Sequence, residues 1–316
     1  MVKVSREHER YLTFATKNSW YWPNHNWGLG LVQSAIQVSK PARGASSFFL
    51  KLIWRPWTTL WLALPTSFRV CFYRCLEYLG ARIYERNSSR VKRLPFGLYV
   101  KIHTIEAIRT EALSMIFVGK NTTIPVPTVL DVVPHPQGAA MIMTTIPGES
   151  VRYAILEGKL SQEDFETVIS DWLAQLRAIP APPYGLVCGF PGGRCMTYWV
   201  CDQEPFGPYS SLQALHKWFI RGIEERCKFT QNVYSKPLRL CFTHADIHVH
   251  NILYHEGRMS GLIDWECAGW WPEYWEYATA MWHHGRWPFW AGAFGNVFAQ
   301  YDEEMDMVRG LWKLRH

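Results

Sequence analysis

Thr243-His-Ala-Asp-Ile-His-Val-His-Asn251, continued by Ile252-Leu-Tyr254 and then by Gly261-Leu-Ile-Asp-Trp-Glu266, is the stretch on which the reading of this chain turns. Asp246 is followed five residues later by the amide of Asn251, and Asp264 closes a strand-like run. The three converge if the chain loops and returns as a hairpin. Such a set suits phosphoryl transfer: one carboxylate orients and deprotonates an attacking hydroxyl, while an amide oxygen and a second carboxylate hold Mg2+ on the phosphates. The same residues carry a rival reading. His244, Asp246, His248 and His250 recur at period two, and on an extended strand they would share one face, like the ligands of a Zn2+-dependent hydrolase. That leaves Lys101, Asn251 and Asp264 without a task.

Outward from this stretch, the chain before residue 148 reads as strand-rich and the chain after it as helical. Thr66 or Ser67 is placed to cap a helix with apolar positions Phe68, Val70, Cys71, Leu76 and Leu79, and Gly80 to stop it. Residues 81–103 read as strand, turn, strand: Arg82-Ile-Tyr-Glu-Arg86 precedes Asn87-Ser-Ser89, and Pro95-Phe-Gly97 precedes Leu98-Tyr-Val-Lys-Ile-His103. A helix follows at 105–119, with Ala107, Ile108, Ala112, Met115, Ile116 and Val118 on its apolar face, and then strands at Val126–Val133 and Ala139–Thr145. That is a small antiparallel sheet carrying one helix. Beyond Pro147-Gly148, Ser161-Gln-Glu-Asp164 begins a helix running toward Ile179, and a second spans Ser211–Arg226. The runs Leu240–Thr243 and Ser260–Ile263 bracket the His-rich loop, and aromatic helical sequence follows. The class is α+β, divided as an N-terminal extension (1–64) without clear periodicity, a sheet-bearing lobe (65–147) and a larger, mainly helical lobe (148–316).

Composition bounds the partners. With 48% apolar and 19% charged residues, the 316-residue chain buries a large core, and 33 Lys plus Arg against 27 Asp plus Glu suit an anionic small ligand. The charge is too mild and dispersed for a nucleic-acid partner. Eight cysteines form no Cys-x-x-Cys pair and sit mostly in apolar surroundings, as reduced, buried thiols of a cytoplasmic protein do. The opening MVKVSREHERYLTF lacks the apolar core of a secretory signal. Phe48–Leu64 is the most apolar stretch, but Lys51, Arg55 and Pro56 interrupt it short of the roughly 18 apolar residues a spanning helix needs. It reads as a helix packed on the protein, with interfacial membrane contact as the alternative.

His-x-Asp-x-x-x-x-Asn followed by Ile-Asp-Trp-Glu resembles the Brenner motif and metal-binding segment of the aminoglycoside phosphotransferase family. The likeness is greatest to its fungal branch, where sequences similar to Leu94-Pro-Phe-Gly-Leu-Tyr-Val-Lys101, Asn121-Thr-Thr-Ile-Pro-Val-Pro127 and Ala268-Gly-Trp-Trp-Pro-Glu-Tyr-Trp-Glu-Tyr277 recur in this order. The resemblance covers residues 65 to 280. It implies a two-lobed protein-kinase-like fold and transfer of the γ-phosphoryl group of ATP, with Mg2+, to a hydroxyl of a small molecule. Residue by residue, it implies that Lys101 contacts the α- and β-phosphates and that Glu111 pairs with Lys101, Glu106 being the competitor. Backbone groups at Met143, Thr144 and Ile146 would meet the adenine. Asp246 takes the catalytic-base position, His244 orients the motif, and Asn251 with Asp264 holds Mg2+.

Three features depart from the family pattern. Ala245 stands where the family usually has Gly, no Gly-x-Gly-x-x-Gly loop precedes Lys101, and the chain stops soon after residue 310. A kinase-fold binding module without catalysis is therefore the second reading. The acceptor stays open among aminoglycosides, choline-like alcohols, sugars and other metabolites. Asp302-Glu-Glu-Met-Asp306 is either a cluster for a polycationic acceptor or a solvated helix face, and the tryptophans and tyrosines of 265–290 read as core.

Overall fold

Lys101 lies between Val100 and Ile102, and this alternation organises the sheet that carries it, since successive side chains of a strand take opposite faces. The computed structural model describes residues 28–38, 58–85, 88–181, 185–198, 204–222, 236–298 and 301–315. They form two units. The first comprises the described residues between 28 and 150 together with Ile252–Glu266, and the second those of Val151–Asn251 and from Cys267 onward.

In the first unit, helices α1 (Gly28–Val38) and α2 (Thr66–Ile83) precede strands β1 (Val91–Leu94) and β2 (Leu98–His103). Helix α3 (Ile105–Asn121) and strands β3 (Val129–His135) and β4 (Gly138–Thr144) follow. The sheet is antiparallel, in the order β1-β2-β4-β3, with Lys101 opposite Met141 on β4 and Val91 on β1. Val100, Ile102, Ala140 and Ile142 form one buried cluster with Tyr73 and Leu76 of α2. Lys101, one residue out of phase, meets α3 instead. The N-terminal region thus contributes two helices to this sheet: Val32 and Ile36 of α1 are fully buried, and Gln33 donates to the Val132 carbonyl at 3.2 Å. In α2 the buried Arg69 pairs with Asp131 of β3, whose carboxylate also accepts from Tyr73 and Trp61 at 3.1 Å each.

Several boundaries differ from the sequence reading. Gly80 does not stop α2, which runs on to Ile83; it is a glycine because a Cβ there would collide with the Arg93 carbonyl of β1. No side chain caps the start of α2, which follows Pro65. The first strand is therefore 91–94 rather than 82–86, and the hairpin turn is Pro95-Phe-Gly97. Strands β5 (Glu149–Ser150), β8 (Ile252–His255) and β9 (Arg258–Leu262) make a second antiparallel sheet, so the hairpin assigned by sequence to the helical lobe belongs to the first unit. The cause is pairing: β8 bonds to β5, and Leu262 N–H donates to the Pro125 carbonyl at 2.9 Å. The 1–64 extension likewise does not stand apart, because its described residues pack on the sheet.

The second unit holds helices α4 (Val151–Leu156), α5 (Gln162–Arg177) and α6 (Leu212–Ile220), then α7 (Trp275–His284), α8 (Pro288–Val297) and α9 (Asp302–Arg315). Its sheet places β10 (Gly269–Pro272) between β6 (Cys188–Gly189) and β7 (Leu240–Thr243). Ser161 caps α5 by accepting from Asp164 N–H, and Ser211 caps α6 from Ala214 N–H. Helix α6 ends at Ile220, before the expected 226. Trp271 and Trp275 stack at 4.7 Å within the buried aromatic core. No described helix is long and apolar enough to cross a membrane, and residues 48–57 and the N-terminal stretch lie outside the described residues. Of the cysteines, 188, 195, 241 and 267 are buried as expected, whereas Cys71 and Cys75 are exposed on α2; positions 201 and 227 lie outside the described residues.

Candidate active site

In the first unit one ammonium is surrounded by carboxylates. Lys101 Nζ lies 2.8 Å from Glu111 of α3, 2.6 Å from Asp264 and 3.2 Å from Glu266, the last two just beyond β9. Glu106 takes no part in this cluster of the first unit. Burial opposes the charge on Lys101, but the three carboxylates outweigh it and hold the amine well above its ordinary value. Burial, reinforced by Asp264 and Glu266, pushes Glu111 up to about 8 against the pull of Lys101. Asp264 has φ +68°, a left-handed backbone that Asp tolerates better than most side chains.

On β4, Met143 and Thr144 pair with Tyr99 and Leu98, and residues 143–146 are half-buried where Met141 and Ile142 are fully so. Thr144 N–H donates to the Thr128 carbonyl at 3.0 Å and Thr145 N–H to Gly97 at 2.8 Å. A ligand edge at this connection would therefore find those two donors committed, which shifts the expected backbone contact toward Ile146.

The second unit holds the His-Ala-Asp loop. Glu276 of α7 is buried, and its two carboxylate oxygens accept from consecutive backbone N–H groups, His244 at 2.7 Å and Ala245 at 3.0 Å. Ala245 sits at φ +66°, in the region that favours glycine; this is the physical sense of the family's Gly at that position. Asp246 N–H donates to His244 Nδ1 at 3.2 Å, so His244 braces the loop from within. Asn251 donates from its amide to both the Asp246 carbonyl (2.9 Å) and Asp246 Oδ2 (3.0 Å), bringing the predicted base and amide together. His248 Nε2 lies 3.5 Å from Asp246 Oδ2.

The period-two zinc reading fails on backbone geometry. Residues 244–250 form a turning loop rather than a strand, His250 is exposed, and His248 Nδ1 accepts the His250 N–H. The metal-competent cluster among the described residues is instead Glu111, Asp264 and Glu266, whose oxygens lie within 4.8 Å of one another. The acidic run of α9 is not a free cluster either: Glu303 and Glu304 both bind Lys236 at 2.8 Å, and Glu304 is buried.

Two residues here received no role from the sequence. Glu266 was legible as the last residue of Ile-Asp-Trp-Glu, two beyond Asp264. Glu276 lies in the quoted Trp-Glu-Tyr run, but its pairing with a loop more than 30 residues upstream has no local signal.

Comparison with known proteins bears on the fold and the family. The fold is similar to a thermostable mutant of aminoglycoside phosphotransferase APH(4)-Ia, with TM-score 0.50 and 15% identity over 74% of this chain and 82% of that one. It is also similar to APH(2")-IIia in its GDP and kanamycin complex (TM-score 0.49, 9% identity, 76% and 86% covered). Macrolide 2'-phosphotransferase MphH from Brachybacterium faecium gives TM-score 0.45 at 11% identity, with 76% and 89% covered. At these identities the likeness is one of fold, and the first alone is near enough to carry it. No curated protein matches the sequence. The sequence profile of the phosphotransferase enzyme family matches residues 84–311, most of the 316-residue chain, and the chain belongs to that family.

Proposed function

We propose that this chain is an ATP- and Mg2+-dependent kinase of a small molecule, transferring the γ-phosphoryl group to a hydroxyl, and that it works in the cytoplasm. The observation that carries the reading is Lys101, a buried ammonium held among Glu111, Asp264 and Glu266 at 2.6–3.2 Å. A buried cation fixed in place by acids is suited to meet phosphate oxygens, with Glu111 orienting it. The oxygen donors that Asp264 and Asn251 offer fit a hard cation such as Mg2+ and not a soft one. In this reading Asp264 and Asn251 are the Mg2+ ligands, and residues 143–146 receive the adenine. When bound, Mg-ATP supplies the phosphoryl group and the charge that neutralises it. Asp246 then orients the acceptor hydroxyl and takes its proton, steadied by the amide of Asn251. His244 and Glu276 position this loop. Residues 265–290 are largely buried core, so their sequence does not name the acceptor.

Titration of the protein with ATP, with and without Mg2+, tests the reading. Affinity should be weak without the metal, and Asp264→Ala should abolish the difference; equal affinity in both conditions for the parent would contradict it.

A further inference from the structure

Helix α2 buries one apolar face against the sheet and leaves a second largely exposed, with Phe68 and Phe72 of the second meeting Trp61 edge-on. Arg69, Tyr73, Leu76 and Gly80 are buried against the sheet. On the other side Phe68 is 53% exposed, Phe72 40%, Tyr78 59%, Leu79 47% and Ile83 62%. At 100° per residue these positions fall on one side of the helix, where the exposed Cys71 and Cys75 also lie. Leu64, just before the helix, is exposed as well. With large side chains offering about 200 Å² each, the five leave on the order of 500 Å² of apolar surface, at the upper end of what a monomer ordinarily shows.

The charges of α2 nearest this face are basic: Arg82 lies within it, packed on the Tyr78 ring, and Arg74 lies beside it. Arg74 and Arg82 are exposed on α2, and its single acid, Glu77, is occupied by Lys92 at 2.7 Å. The sequence extends the asymmetry: from Arg10 to Leu76 there is no Asp or Glu, and eight Lys or Arg. At the chain's overall frequency of 27 acids in 316 residues, about six would be expected there. An apolar helix face that carries Arg82 and is flanked by Arg74, at the end of an acid-free stretch of chain, complements a surface that is apolar beneath and anionic above.

We propose that the outward face of α2 docks on anionic lipid bilayers, with Phe68, Phe72, Leu79 and Ile83 entering the interface and Arg74 and Arg82 meeting lipid headgroups. A second copy of the chain fits less well, because a two-fold contact through this face would bring the arginines of one copy against those of the other. The buried Arg69–Asp131 pair fixes the helix to the sheet, so the face is presented as a rigid element. The contact is peripheral, in keeping with the absence of a spanning helix among the described residues.

Co-sedimentation of the full chain with vesicles of phosphatidylcholine alone, or mixed with phosphatidylserine, tests the assignment. The protein should sediment with the phosphatidylserine vesicles, less so as salt is raised, and only weakly with phosphatidylcholine. Phe72→Ser/Leu79→Ser should weaken binding by about tenfold or more, and Arg74→Glu/Arg82→Glu should remove the preference for the anionic lipid. Both pairs are exposed, and an unchanged melting temperature verifies the fold; Phe68→Ser/Ile83→Ser replaces the first pair if it fails that check. Maleimide modification of Cys71 and Cys75 should slow in the presence of the anionic vesicles. Failure to sediment with either vesicle overturns the proposal. So does binding that neither apolar pair weakens, or self-association in gel filtration that the apolar pairs abolish while vesicle binding is absent.

Discussion

Replacing Glu276 by Gln isolates the contact that holds the His-Ala-Asp loop. Its two oxygens accept from His244 N–H at 2.7 Å and Ala245 N–H at 3.0 Å, and all three residues are buried. Gln keeps one oxygen and turns an amide donor toward the second N–H. One hydrogen bond is lost and one buried donor is left unsatisfied, a cost of about 2 to 3 kcal/mol. Ala leaves both donors unsatisfied and should cost roughly twice that. The cost depends on pH. Burial pushes the Glu276 carboxyl up to about 7, from an ordinary 4.5, although both N–H groups pull it down. A raised carboxyl pKa means that the folded state binds the extra proton between those values, so this group's contribution is largest below about 4.5 and declines as pH rises toward 7. The penalty of Glu276→Gln, measured by urea unfolding, should therefore be greater at pH 5 than at pH 8. Loss of loop position should also lower phosphoryl transfer, by about a hundredfold for a displacement near 1 Å. A Gln variant as stable as the parent at both pH values, with the same transfer rate, would refute the clamp.

Other perturbations follow from the same structure. Lys101→Met should weaken nucleotide binding and also destabilise the fold by about 3 kcal/mol at pH 8, because it strips the counter-charge from three buried or half-buried carboxylates. Urea unfolding and an ATP titration on the same preparation check the two effects. Arg69→Met should cost about 3 to 5 kcal/mol by leaving Asp131 buried and unpaired, and the added Asp131→Asn should restore part of it. Maleimide should modify Cys71 and Cys75 in the native protein while sparing Cys188, whose thiol burial pushes up to about 12; mass mapping of the labelled peptides distinguishes them.

What the sequence disclosed was local. Ser161 and Asp164 announced α5 because a cap and its N–H partner lie three residues apart, and Pro95-Phe-Gly97 announced its hairpin for the same reason. The fold class, and the elements bearing Lys101 and Asp246, came from motif order. The failures concern contacts distant along the chain. Gly80 looked like a helix stop because nothing local shows that the Arg93 carbonyl passes against it. Strand β10 is four residues long and pairs with β6 and β7, both distant along the chain, and the local β8–β9 hairpin finds its third strand, β5, a hundred residues upstream. Helices α1 and α2 join the sheet through buried apolar side chains and through polar contacts distant along the chain, Gln33 to Val132 and both Arg69 and Tyr73 to Asp131, that a Trp-rich sequence without clear period does not advertise. Glu276 was hidden by the same cause, whereas Glu266 stands in the Ile-Asp-Trp-Glu run itself and its meeting with Lys101 depends on a residue far upstream.

The central claim rests on Asp246 as the group that takes the acceptor's proton. The most direct measurement is the rate of phosphoryl transfer from Mg-ATP by Asp246→Asn, to whichever hydroxyl compound a metabolite screen for ATP consumption identifies, with ATP affinity measured on the same preparation. Asn preserves the size of the side chain and keeps Asn251 and Asp264, so Mg-ATP should bind as in the parent while transfer falls by about a hundredfold or more. Transfer at the parental rate with intact ATP binding would contradict the account.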